Sequence, residues 1–179
     1  CFYREITNGQ MPDSHAEKTY DTVKRFLNGP NKKLHFFVFD LSKDPGKLDD
    51  QGLCQDDYLQ AAKSYFVANE IFKRNTDGIY IVATKSDLLP CTKEQRSKKA
   101  EEHLKENYLA FVNVLKDVCK KYKINDNSSL IVIPFSLGKV YFNDICEFDN
   151  TSSASIIQIL QTKSGISKGA NKLGNFFNK

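Results

Sequence analysis

Thr84-Lys85-Ser86-Asp87 follows directly on an apolar run, Gly-Ile-Tyr-Ile-Val-Ala, that begins at Gly78. These residues offer three kinds of chemistry at the end of a strand. An ionised carboxylate at Asp87 can accept two neighbouring N–H donors at once. Lys85 can lay its methylene stem along a flat ring while its ammonium stays in water. Thr84 can tie the loop to nearby backbone through its hydroxyl. The position suits a binding loop, because ligands of open α/β sheets sit beyond the carboxyl ends of the strands.

The other chemistry-bearing residues read as structural. His35 opens an apolar run and is expected to be a packing residue, and His103, between Glu102 and Leu104, matches no zinc-protease spacing. Asp49 to Gly52 is read as an acidic loop. The five cysteines are odd in number and form no C-x-x-C pair. They are expected to be reduced thiols in an intracellular, cytoplasmic setting. No residue stands out as a chemical catalyst or a metal ligand. The Lys-rich stretches at 93–106 and 116–123 are read as solvated helix faces, not as a nucleic-acid surface.

Composition sets the frame. A chain of 179 residues with 40% apolar and 12% aromatic content can bury one real core. A net charge of +4 is too small and too spread out to demand a polyanionic partner. No apolar run reaches the roughly 18 residues of a membrane span, and no secretory signal is visible. The chain opens on Cys1 instead of Met, so it is expected to be a piece of something longer.

The elements that must position the loop alternate. Residues 1–13 carry loop signals at Asn8-Gly9 and Met11-Pro12, although Phe2 and Ile6 could pack. Ser14-x-x-Glu17 is a capping box, and Ala16, Tyr20, Val23 and Leu27 recur at helical spacing, which predicts a helix over 14–28. Leu34 to Leu41 is nearly continuous apolar sequence, as in a strand covered on both faces. Asp56 and Asp57 open a helix whose apolar stripe is Tyr58, Ala61, Ala62, Tyr65, Ala68 and Phe72. The central strand at 78–83 follows. Thr92-x-x-Gln95 then caps one long helix to Tyr122, with Leu104, Tyr108, Phe111, Leu115 and Cys119 on one face. Lys123 to Ser128 is a polar connector and 129–135 a third buried strand. Residues 139–148 form a short strand or an extended excursion. A last helix starts at Thr151 or Ser152, with Ile156, Ile157 and Leu160 on its face. This order predicts a three-layer α/β/α fold with a mainly parallel sheet over 14–162, and a basic tail at 163–179.

The stretch 14–162 resembles the C-terminal half of a Ras-like P-loop GTPase. Val38-Phe39-Asp40-Leu41-Ser42 is similar to that family's fourth strand, and Thr84-Lys85-Ser86-Asp87 to the [Asn/Thr]-Lys-x-Asp guanine-specificity motif ending its fifth. Ser136-Leu137-Gly138 stands where the family carries Ser-Ala-[Lys/Leu], with Leu in place of Ala and Gly in place of Lys. The resemblance implies GTP or GDP as ligand, bound by Thr84, Lys85 and Asp87 on one side and by Ser136, Leu137 and Gly138 on the other. In such a site the carboxylate accepts from guanine N1–H and N2–H₂, while backbone N–H groups of the second loop donate to O6. The D-x-x-G pattern at Asp49 lies one strand too late to match the family's own near Mg²⁺.

The family's phosphate loop, G-x-x-x-x-G-K-[Ser/Thr], is absent from the sequence. Two explanations compete: a GTPase whose phosphate-binding and Mg²⁺-binding half lies upstream, or a pseudo-GTPase scaffold acting through a protein partner. The tail at 163–179 is a candidate for partner or membrane contact.

Overall fold

The computed structural model describes residues 14–73, 75–141 and 145–164, so the expectations for 1–13 and for most of the tail fall outside the described residues. Ten elements follow in order: α1 (Ser14–Asn28), β1 (Lys33–Asp40), α2 (Gln55–Ala68), β2 (Thr76–Thr84), α3 (Arg96–Asn107), α4 (Leu109–Tyr122), β3 (Ile131–Phe135), β4 (Gly138–Tyr141), β5 (Ile145–Phe148) and α5 (Thr151–Ser164). The fold is α/β. β1, β2 and β3 form a parallel sheet in that order, and β4 and β5 form a separate antiparallel hairpin.

β2 explains the arrangement. Its residues from Gly78 to Ala83 are all buried, and its two edges pair with β1 and β3. On one face Phe37, Phe39, Ile79 and Ile81 pack with Leu59 of α2, Leu104 of α3 and Phe111 and Leu115 of α4. Aromatic rings meet there edge-on, Phe39 with Tyr108 at 5.1 Å and Phe37 with Phe111 at 5.3 Å between centroids. On the other face Tyr80, Val82 and Ile133 take Ile156 and Ile159 of α5. Tyr80 stacks on Phe36 at 5.1 Å. Its ring also lies over Gly78, where a Cβ would come within 2.4 Å of the Tyr80 ring, so only glycine fits two residues before it on this face.

Several expectations change. The third strand starts at Ile131, not Ser129, and is not buried along its length: it is an edge strand, Ile131 is 39% exposed and Ile133 is its one buried residue. The apolar run of β1 is not covered on both faces: Val38 is 59% exposed, because α5 leans on β2 and β3 and leaves the β1 side open. Leu34, Ile157 and Leu160 line a shallow apolar groove there, so the α5 residues that pack are Ile156 and Ile159, not Ile157 and Leu160. The α2 stripe turns as well: Tyr58 is exposed, Leu59 and Phe66 pack inward, and Phe72 sits in a short 3-10 turn after the helix.

The single long helix is two. It breaks at Tyr108, with φ −134° and ψ 33° and no glycine or proline. The cause is tertiary: Tyr108 is buried against Phe39, its hydroxyl accepts from Gln55 Nε2 at 2.9 Å, and Asn107 Nδ2 caps the His103 carbonyl at 2.9 Å. The connector after α4 hides a clamp. Asn125 is buried with φ +64°. Its Oδ1 accepts from the Ile79 N–H at 3.2 Å, and its Nδ2 donates to the carbonyls of Ile79 at 2.9 Å and Ser129 at 2.6 Å. The amide thus continues the ladder on the β2 edge below the start of β3, where the strand pairing begins at Tyr80 and Ile131.

Asn125→Gly removes the clamp without adding left-handed strain. It is expected to cost about 2–3 kcal/mol, since it strands a buried N–H and a buried carbonyl. Urea unfolding checks this, and a loss near zero would mean that water replaces the amide. His35 gives a pH signature. It is buried between Phe66 and Phe72 with Nε2 3.3 Å from the Thr76 hydroxyl. Burial, and then the charge of Lys33, pull its pKa down from 6.5 to about 4. A depressed histidine adds stability that is complete above pH 6.5 and is lost as pH falls toward 4, roughly 3 kcal/mol in all. Comparing urea midpoints at pH 7.5 and 4.5 should show a drop that His35→Phe reduces.

Candidate functional site

The carboxyl ends of the three parallel strands form one rim. At the end of β2 the Thr84 hydroxyl donates to the Phe39 carbonyl at 2.8 Å, and the Leu41 N–H donates to the Thr84 carbonyl at 3.2 Å. These bonds fix the ends of β1 and β2 to each other. Lys85 then takes a left-handed conformation, φ 57°, which turns the chain into the 3-10 turn Ser86–Leu88. Ser86 is buried, and Asp87 is half-buried.

The turn separates two clefts. In the first, of about 390 Å³, the Lys85 ammonium donates to Asp40 Oδ2 and to Ser42 Oγ, both at 2.9 Å. Ser42 in turn donates to Asp40 Oδ1 through its N–H at 3.0 Å and its hydroxyl at 2.6 Å. Burial pushes the Asp40 carboxyl up, but the bonds from Ser42 and Lys85 more than offset it, and the net effect holds it below its usual range. Gln55 steadies this group, accepting from the Asp40 N–H at 2.8 Å. The D-x-x-G segment on the same cleft is a turn: Asp49 Oδ1 accepts from the N–H groups of Gln51 and Leu53, and Tyr58 donates to Oδ2 at 2.6 Å.

The second cleft, about 380 Å³, lies between the ends of β2 and β3 and is lined by Asp87, Ser136, Gly138, Phe148, Lys93 and Arg96, among others. Its volume falls in the roughly 300–1,000 Å³ range of small-molecule sites. Ser136 is buried. Its Oγ accepts from the Gly138 N–H at 3.1 Å, and its own N–H donates to Ser152 Oγ at 3.3 Å. Gly138 has φ +104°, a turn that a side chain would strain. The Leu137 carbonyl accepts from the Asp149 N–H at 3.1 Å. On this cleft the Asp87 carboxylate is bonded to no described residue, and in the loop beside it neither is the Leu137 N–H.

Asp149 forms a hub behind this cleft. It meets Lys93 Nζ at 3.0 Å and Arg96 Nη1 at 3.9 Å and accepts from the Thr151 N–H at 3.0 Å. Hydrogen bonds from the Thr151 hydroxyl, then Lys93, then the Thr151 N–H lower its pKa to about 2. The buried Nε of Arg96 has no acceptor among the described residues.

Of the sequence candidates, Asp87, Ser136 and Gly138 line one cleft, with Leu137 in the loop between the last two. Lys85 lines the neighbouring cleft, and Thr84 bonds inward. Asp40, Gln55, Phe148 and Asp149 were not singled out from sequence. Only Asp40 carried a signal, as a carboxylate closing an apolar strand. A broader depression of about 750 Å³ runs along α1, lined by Lys18, Asp21, Thr22, Lys24, Arg25 and Asn28. All of these come from a single helix, and nothing converges on it. Among the described residues no group of histidine, cysteine and carboxylate side chains could hold a metal ion, and no helix is long and apolar enough to cross a membrane. Cys54, Cys91 and Cys119 are free thiols. No protein-family model, curated protein or solved structure matches the chain.

The Asp149 hub can be tested by carboxyl NMR. Its titration midpoint is expected near 2, and Thr151→Val should move it up toward the ordinary carboxylate range. A wild-type midpoint near the usual aspartate value, about 4, would show that the hub does not form in solution.

Proposed function

We propose that the chain is the base-recognition half of a guanine-nucleotide-binding, GTPase-like domain. The observation that carries this reading is the unspent Asp87 carboxylate on the second cleft, whose wall is shared by Ser136 and Gly138. The N–H of Leu137, between those two, is unbonded among the described residues and is taken as the donor. Guanine presents the complement on one edge: N1–H and N2–H₂ for the carboxylate, and O6 for the N–H. Adenine presents an acceptor at N1 and a donor at N6 and leaves both protein groups unpaired. A buried mismatch of that kind costs about 1–3 kcal/mol, which corresponds to roughly 5- to 150-fold in preference.

The remaining candidates support this arrangement. The Lys85 ammonium is held by Asp40 and Ser42, so the lysine stem is fixed at the strand end instead of sweeping through solvent. Thr84 fastens the loop to β1. Residues outside this chain would hold the phosphates and Mg²⁺, because the sequence has no phosphate loop. Hydrolysis is therefore not assigned to any residue here.

A second reading rests on the open side of β1, where Leu34, Val38, Ile157 and Leu160 leave apolar surface in water. In it the chain is a GTPase-like scaffold that covers this surface with a protein partner and turns over no nucleotide.

The test is an NMR titration of the chain with GDP and with ADP in the presence of Mg²⁺. GDP is expected to shift the amides of Asp87 and Leu137 while ADP does not. Asp87→Asn should relax the preference toward XDP, since xanthine carries an oxygen where guanine carries the N2 amine. Equal response to GDP and ADP, or a preference untouched by Asp87→Asn, would remove the base-reading assignment and leave the scaffold.

A further inference from the structure

We infer that Phe148 is the stacking platform for the ligand's purine ring, an inference that rests on the guanine reading of the second cleft. Phe148 is 64% exposed, yet it ends a strand and lines the cleft that Asp87, Ser136 and Gly138 share. Single exposed apolar residues are ordinary on protein surfaces. Phe148 differs in three ways.

Its backbone is held on both sides. Cross-strand pairing sets it opposite Gly138, and the next residue, Asp149, is fixed by its N–H bond to the Leu137 carbonyl and by the Lys93 and Thr151 contacts. An exposed ring on a fixed backbone loses little entropy when a ligand covers it. Its cross-strand partner also has no side chain. Residues directly opposite in an antiparallel pair share a face, and their side chains normally cover each other. Glycine at 138 leaves the ring uncovered on the side where the loop 136–138 turns. Finally, Phe148 is the only aromatic ring among the described residues that line the cleft. Asp87 is the hydrogen-bonding partner for a base edge, with the Leu137 N–H assigned the O6 side under the guanine reading, and Phe148 supplies the apolar surface for a base face. The glycine at position 138 thus acts twice, allowing the turn at φ +104° and keeping the space over the ring free.

Stacking is indifferent to base identity, because every base has a π-face. Phe148 therefore contributes affinity, and Asp87 with Leu137 contributes selectivity. That division gives the test. Phe148→Ala is expected to weaken GDP binding about ten- to a hundredfold while the ratio of GDP to ADP affinity stays at the wild-type value. Phe148→Trp should restore binding, and its indole emission should be quenched as GDP saturates the site. Because the side chain is exposed, neither variant should lower the melting temperature. Wild-type affinity in Phe148→Ala, or tryptophan emission unchanged at saturating GDP, overturns the platform while the Asp87-dependent preference stands by itself. Guanosine carries no phosphate to be held, so failure of the wild-type chain to bind it at millimolar concentration overturns the guanine reading and the platform together.

Discussion

A strand buried on both faces and paired on both edges has no water to satisfy its backbone, so everything beside it must be in place. β2 is that strand. Each of its N–H and carbonyl groups needs a partner from β1, from β3 or from a substitute. Asn125 is the substitute where β3 has not yet begun. A side-chain amide offers a donor and an acceptor in the same spacing as a peptide, so one residue stands in for a rung of the ladder. The requirement reaches the next elements too. Gly78 gives up its side chain for the Tyr80 ring, and α3 and α4 press their apolar faces onto Ile79, Ile81 and Ala83.

The rim inherits its order from the same strand. A loop that leaves a fully buried strand starts from backbone that cannot drift. Thr84 passes that order to β1 through the Phe39 carbonyl, and Lys85 passes it to Asp40 and Ser42. The left-handed turn at Lys85 is not glycine-based and carries a cost, met by two ammonium bonds and the surrounding ladder. Asp87 is thereby held half-buried in a cleft without being consumed by a partner, the condition a recognition group must satisfy.

The strands were legible in the sequence because each leaves a nearly continuous apolar run that ends near the turn residues that close it, although only β2 is buried along most of its length. What the runs could not reveal is which face would be covered. Leu34 to Phe39 reads alike on both sides, and only the lean of α5 decides that Val38 stays in water. The break at Tyr108 had no local mark either, because its cause is a glutamine more than fifty residues away. Asn125 was hidden for the opposite reason: a polar residue in a polar connector breaks no pattern, although it is among the most consequential side chains in the chain. At the rim, Asp87 and the loop 136–138 could be found because they follow strands directly. Phe148 could not, since its role depends on the hairpin register that sets it across from Gly138, and the sequence of 139–148 fits a strand and an excursion equally well.

The two clefts differ in which groups they leave unspent. The cleft beside β1 has Lys43, Lys47 and Lys85 on its walls, but Asp40, Asp49 and Asp50 stand among them, three cations against three carboxylates. Lys85 is already bound to Asp40, and the Asp49 carboxylate is occupied by backbone N–H groups and Tyr58. A set with no net charge, its Lys85 already engaged, exerts little net pull on a di- or triphosphate, which needs net positive charge. The second cleft is balanced too, with Lys93 and Arg96 against Asp87 and Asp149, but it leaves the Asp87 carboxylate unspent and carries an open aromatic ring. Under the proposed function a ligand there is read by its base edge and held by its ring face, and the groups that cradle its phosphates must therefore be supplied from beyond this chain.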